Sequence, residues 1–253
     1  MTAQQAPWAD GVLVTTPTMT AIMKALGLDC LSPSWDGWVD DNSPGGWSAG
    51  TANAIDIPYV DVDSRSRYPI GCKLSFTDNG VTKYAYVVAS SYSGVPLPGH
   101  NAVRLTVVVA LADGTASTLS LNPITYPRIS YMATPYGFPG AFSYAPSYTG
   151  WTATPTLDCH FAIQGRQMFL WLFANGTSTT GATTLSIPVA INASYPANSN
   201  VLCRVVDNGA VAVLGLAQAS GGSTSFTFGK DLALDAFTTS GGKNVSLQTV
   251  IPI

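Results

Sequence analysis

The sequence predicts an all-β protein: an N-terminal arm with one short helix, a small β-barrel-like domain, and a C-terminal β-sandwich. Three observations carry this expectation. All 14 acidic residues are Asp and none is Glu; Glu is a good helix former, whereas Asp favours turns and caps. The chain also holds 24 Gly and 17 Pro, the residues that punctuate short elements. Finally, alternating runs of strand length are broken by Asn-Gly and Asp-Gly pairs, which supply the positive φ angles of tight hairpins.

Taken in order, residues 1–16 read as extended. A helix then runs from Pro17 to Leu26, with Thr16 as cap, Pro17 at its first position and Gly27 as stop. Met19, Ile22, Met23 and Leu26 fall on one face at i, i+3, i+4, i+7 spacing, so this helix is expected to dock on something. Residues 32–53, SPSWDGWVDDNSPGGWSAGTAN, carry no periodicity and read as a linker. Residues 1–53 therefore form a docking arm, with Trp35, Trp38 and Trp47 as docking contacts.

A small β domain is expected over 54–126. Lys73–Thr77 and Val81–Ala89 form a hairpin on Asp78-Asn79-Gly80, in which Lys73, Ser75 and Thr77 face away from Cys72, Leu74 and Phe76. A second hairpin turns at Asp113-Gly114. Residues 127–151 are a connector rich in aromatics, Pro and Gly. The C-terminal domain, 152–253, opens with strands at Phe161–Ala162 and Gln167–Phe173 that close on Asn175-Gly176. It continues through a hairpin on Asp207-Asn208-Gly209, and STSFTFGKD and SGGKNVSLQTVIPI supply the last strands.

Composition excludes several classes. Charged residues are 10 % of the chain against 46 % hydrophobic, so ordinary disorder is excluded. A net charge of −3 with singly scattered basic residues argues against nucleic acid. No apolar run approaches the roughly 18 residues of a membrane span. MTAQQAPWADG has neither a basic nor an apolar stretch, and reads as no secretory signal. Cys30, Cys72, Cys159 and Cys203 have no close pair, which rules out a zinc knuckle or CxxC motif, and buried free thiols are expected.

The stretch IDIPYVDVDSRSRYPIGCKLSFTDNGVTKYAYVVASSYSG, followed by AVRLTVVV, resembles the small β-domain of many bacteriophage tail-fibre and virion structural proteins. There a Y/F-P-x-G-x-K phrase precedes a hairpin and a KY-x-x-V strand; Tyr68, Pro69, Gly71, Lys73, Lys83, Tyr84 and Val87 occupy those places. The C-terminal part, from the QGR strand through the V-x-D-N-G hairpin to TTSGGKNV, resembles phage fibre tips. Together the two stretches cover 55–125 and 155–253. The resemblance implies a non-enzymatic particle protein, a homotrimer exposed on the virion and folded in the bacterial host cytoplasm. It implies neighbouring tail, neck or capsid proteins as partners, gripped by the N-terminal arm, and no cofactor.

Candidate sites are few. His100 lies in the loop PLPGHNA. Asp158 and His160 share a strand face and can hydrogen-bond, while Cys159 between them faces the other way; no G-x-S-x-G nucleophile motif accompanies them. Asp61-Val62-Asp63 and Asp40-Asp41-Asn42 are oxygen clusters without the pattern of a calcium loop. Tyr131, Tyr136, Phe138, Phe142, Tyr144, Tyr148 and Trp151 crowd 21 residues. They serve either as a platform for a host cell-surface saccharide or as rings packing the connector against its neighbours. The reading is a short fibre or receptor-binding protein for host attachment. Its alternatives are a capsid or neck decoration (cement) protein and, in another class, a carbohydrate-binding module.

Overall fold

The computed structural model describes residues 36–41, 46–58, 65–97, 100–120, 122–179 and 181–253. The helix at 17–26, with Met19, Ile22, Met23 and Leu26, lies outside them, as do Trp35, Cys30, Asp61 and Asp63. Within them the protein is all-β and forms two sheets.

The first sheet contains β1 (Val39–Asp40), β2 (Trp47–Thr51), β3 (Ala54–Pro58), β4 (Lys73–Asp78), β5 (Val81–Leu97), β6 (His100–Ala110), β7 (Ala116–Ser117) and β8 (Pro123–Ser130). Its path β8-β2-β3-β6-β5-β4 closes on itself because β4 also pairs with β8. Six strands thus make a barrel, filled by inward residues such as Ile55, Leu74, Phe76, Val87, Leu105 and Ile129. Closure removes the open edges that an isolated small sheet would present. The β4–β5 turn is the expected one, with Asn79 and Gly80 both at positive φ (51° and 76°).

Two expectations are corrected here. The stretch read as linker supplies β1 and β2, and β8 runs on to Ser130, past the expected boundary at 126. These strands are too short and too rich in Gly and Ser to show a period; burial of Trp47 against Tyr68, ring centroids 6.0 Å apart, anchors them instead. The partner of β6 after Asp113-Gly114 is only two residues long, because the chain leaves the ladder to drop Leu119 into the barrel end.

The second sheet comprises β9 (Phe142–Ser143), β10 (Tyr148–Thr149), β11 (Thr156–Gln164), β12 (Gln167–Thr177), β13 (Thr183–Ser186), β14 (Ser199–Asp207), β15 (Val213–Ala219), β16 (Ser225–Gly229) and β17 (Gly242–Pro252). These nine strands form one antiparallel sheet, ordered β10-β13-β16-β15-β14-β17-β12-β11-β9. The sheet curls over a single core of Phe161, Leu170, Leu172, Phe226, Val245 and Leu247, giving a sandwich-like unit without a second separate sheet. Asn175-Gly176 is not the turn that the dipeptide suggests: β12 passes straight through it, pairing Gly176 with Lys243. A Cβ on Gly176 would lie 3.2 Å from the Trp151 ring and 3.4 Å from Pro155, so glycine is there to admit those side chains.

The barrel interior is one hydrophobic core, and the second unit's core is another that extends onto the barrel's outer face. Inward residues of β5 fill the barrel, while its outward residues Tyr84, Tyr86 and Val88 pack on the second unit. The run KYAYVV is apolar on both faces for that reason. At the seam Tyr86 meets Phe138 at 5.0 Å and Phe142 at 4.7 Å, and Phe142 meets Phe161 at 5.7 Å. The main chains also approach directly: a Cβ on Gly71 (φ +84°) would come within 2.1 Å of the Gly165 carbonyl oxygen.

Candidate functional site

Among the described residues, Lys73, Lys83 and Lys243 are buried. Each runs its alkyl stem through packed surface and ends on the carbonyl oxygen of an irregular segment. Lys73 donates to Met132 O at 3.0 Å, Lys83 to Thr118 O at 2.6 Å, and Lys243 to Gly150 O at 2.5 Å. Lys73 does face away from Leu74 as the alternation requires, but that side is the seam between the units and not solvent. The signal for this use lay in the scarcity of charge itself, together with the strand position of each lysine.

Lys83 is also ion-paired with Asp78 at 2.7 Å at the floor of the barrel. Asp78 accepts bonds from the Ser120 amide, at 2.9 Å, and the Ser120 hydroxyl. Burial pushes the Asp78 carboxyl up, but the Lys83 and Ser120 hydrogen bonds outweigh it and hold the group below the usual carboxylate range. Lys243 has a different setting. Its ammonium bonds the Thr183 hydroxyl at 2.7 Å and lies 4.1 Å from the Trp151 ring centre and 5.0 Å from that of Phe237. Burial lowers its pKa from 10.5 to about 8, opposed only by the more distant charge of Asp207.

A pH dependence follows. A lysine depressed on folding contributes stability that is complete above its unfolded value of 10.5 and lost as pH falls through 8. Burial works the other way on the thiols, raising Cys72 from 9.0 to about 12 and Cys203 to about 11, with Cys159 raised as well. Their contribution is complete below 9 and lost above it. Stability measured by urea unfolding is therefore expected to rise as pH climbs through 8 and to fall beyond 9, where the thiols of the unfolded chain ionise. Lys243→Met is expected to flatten the rise, leaving the part due to Lys73, which burial also depresses; a wild-type curve flat or falling from 7 to 8 would contradict the assignment.

The same burial leaves Cys72, Cys159 and Cys203 as inert thiols. Asp40 binds Arg128 at 3.0 Å, and Asp41 points elsewhere to receive the Tyr68 hydroxyl. The expected oxygen cluster is thus divided between two partners. His100 opens β6, in the barrel sheet.

The aromatic connector divides in the same way. Phe142 and Trp151 are buried, and Phe138, Tyr144 and Tyr148 pack partly buried on the second unit's core. Trp38 is buried too, 6.1 Å from Phe138, and donates its indole N–H to Tyr136 O at 2.8 Å. Only Tyr131 and Tyr136 present their rings to solvent, at 51 % and 73 % exposure. Phe138 and Phe142 therefore build the seam against Tyr84 and Tyr86 of the barrel, while Tyr144, Tyr148 and Trp151 pack on the second unit.

A different set of aromatics faces outward. In FLWLF, the inward side chains are Leu170 and Leu172, and Phe169, Trp171 and Phe173 line the outer face of β12, each half-buried. The register places polar residues on both sides. His160 of β11 and Gln248 of β17 flank Trp171 in one cross-strand row, with Ser143 of β9 beyond His160. Asp158, Ser246 and then Arg204 of β14 flank Phe173 in the next row. Neighbouring strands lie about 4.8 Å apart, so Trp171 and Phe173 have hydrogen-bonding groups within one strand spacing, while Phe169 lies between Ala162 and Val250. Asp158 and His160 do pair as their spacing suggested, with Oδ1 2.7 Å from Nε2. A depression of about 440 Å³ opens over this surface, with Trp171 in its floor and Ala141 on its wall. The FLWLF run was read for its strand, and its odd-numbered aromatics were the available signal for the face.

A second, wider groove of about 590 Å³ lies where barrel and sheet meet, lined by Tyr68, Pro69, Ile70, Arg65 and Arg166. Arg65 there stacks on the Tyr92 ring at 3.9 Å.

No protein-family model matches the chain, and neither the curated proteins nor the solved structures offer a match to it.

Proposed function

We propose that this chain is a non-enzymatic surface protein of a bacteriophage virion, a short fibre or receptor-binding protein that holds a recognition face away from the particle. The observation that carries the reading is the rigid outward display. The outer face of the barrel packs into the core of the second unit, and that unit presents an aromatic row on strands fixed on both sides by neighbours. Recognition surfaces on such elements keep their geometry better than surfaces on loops.

Assembly as a homotrimer belongs to the same reading. Leu202 (57 % exposed) and Leu214 lie on the outer face of β14–β15, and Val211 (85 % exposed) and Val213 sit at the end of that hairpin. A contiguous apolar patch of this kind favours burial against another chain. Leu202→Asp is expected to convert the assembly to monomers in light scattering, because the interface would then bury an unpaired carboxylate. An unchanged mass would place the interface elsewhere.

The test of the reading is gold-labelled antibody against this chain on purified particles. Label at the tail or at projecting fibres is expected. Label spread over the shell would favour a decoration protein, and unlabelled particles would overturn the virion assignment.

A further inference from the structure

We propose that the depression over Trp171 is a binding site for an uncharged pyranose, the terminal unit of a surface glycan; this rests on the attachment reading and names its ligand. The floor is the indole of Trp171, with Phe169 and Phe173 extending the apolar row along β12 at every second residue. A pyranose presents one face of C–H groups and a rim of hydroxyls. It needs a flat ring beneath it and small hydrogen-bonding groups around it.

The register supplies both. One strand spacing to either side of Trp171 stand the His160 imidazole and the Gln248 amide, and one row along the strands stand Asp158 and Ser246. Their bonding capacity is largely unused by the protein. His160 Nε2–H donates to Asp158 Oδ1 at 2.7 Å; this orients the ring and leaves Nδ1 facing away from its partner with its bonding capacity unused, and Asp158 Oδ2 is free. Among the described residues, the Gln248 amide, the Ser246 hydroxyl and the Trp171 indole N–H have no protein partner, and none of these atoms is sealed from solvent.

The chemistry argues against a second copy of this chain on the face. A protein interface core is depleted of polar and charged groups at its centre, whereas here polar side chains stand on both sides of Trp171 and of Phe173 across the strands. Its volume of about 440 Å³ also falls in the range of small-ligand pockets, about 300–1,000 Å³. On the aliphatic patch of β14–β15, by contrast, Asn200 and Gln218 bond each other at 3.1 Å at one end, and the exposed Leu202 and Leu214 suit a protein partner.

The experiment applies the full chain to an immobilised panel of neutral hexoses, N-acetylhexosamines and their di- and trisaccharides. Hits are then titrated in solution with tryptophan fluorescence as the signal. Binding of at least one neutral sugar is expected. Trp171→Ala should weaken it at least about tenfold, through loss of a large contact face, and Trp171→Phe should restore part of it. Gln248→Ala should weaken it about fivefold, as for one hydrogen bond. Leu202→Asp should leave it unchanged.

Binding that survives Trp171→Ala would overturn the site. So would a panel with no neutral hit, or a Trp171→Ala variant whose only change is a lower mass in solution. The two readings fail separately. A particle that carries the antibody label while the chain ignores every sugar overturns the ligand and leaves the attachment reading standing. A chain that binds sugar through Trp171 on a particle without label does the reverse.

Discussion

Asp78→Ala is expected to destabilise the protein by about 3–5 kcal/mol, the cost of leaving one charge of a buried pair uncompensated. Lys83 would keep its ammonium at the barrel floor with Thr118 O as its remaining partner, and the Ser120 amide and hydroxyl would lose their acceptor. The damage is not confined to the pair, because these bonds hold the segment that drops Leu119 into the barrel. Urea unfolding at pH 7 measures it. The double variant Asp78→Leu/Lys83→Met removes both charges and should recover most of the loss. Acid provides an independent reading. A carboxylate held below its unfolded value of 3.8 contributes stability that is complete above that value and lost as pH falls through the folded one. The single variant should therefore show a flatter acid limb than the wild type. A loss under about 1 kcal/mol would mean that water reaches the pair and screens it.

Phe142→Ala is the second large effect, about 3–5 kcal/mol for a fully buried ring. Phe142 touches Tyr86 of the barrel, Phe138 of the connector and Phe161 of the second sheet, so its removal opens a cavity at the joint between the units. Unfolding followed through both units should be one transition in the wild type and two in the variant. A small loss with a single retained transition would show that the Gly71–Gly165 contact and the rest of the seam couple the units without this ring.

How much of this the sequence disclosed depends on the scale of the signal. Strands with clean alternation were legible: KLSFT and its partner across Asn79-Gly80, and the core strands of the second unit. Barrel closure was less so, because it depends on β8 pairing with β4, β2 and β1 at once. Those are long-range contacts that no local pattern encodes. Asn175-Gly176 misled for a related reason: a glycine that admits the Trp151 ring and a glycine that turns the chain look alike in one dimension. The dense connector aromatics drew attention to a packed segment in which Phe138 and Phe142 form the seam, while the more dispersed alternation of Phe169, Trp171 and Phe173 marked the outward face. Asp158 and His160 were placed on one face by their spacing alone; the neighbours of that pair, Trp171 and Gln248, required the register.

If the protein is, as we propose, a rigid surface device that works as an assembly of three, light scattering of the purified chain will give a stable species at three times 26.4 kDa, with Leu202 and Leu214 protected from solvent. A monomer that persists at high protein concentration would contradict it.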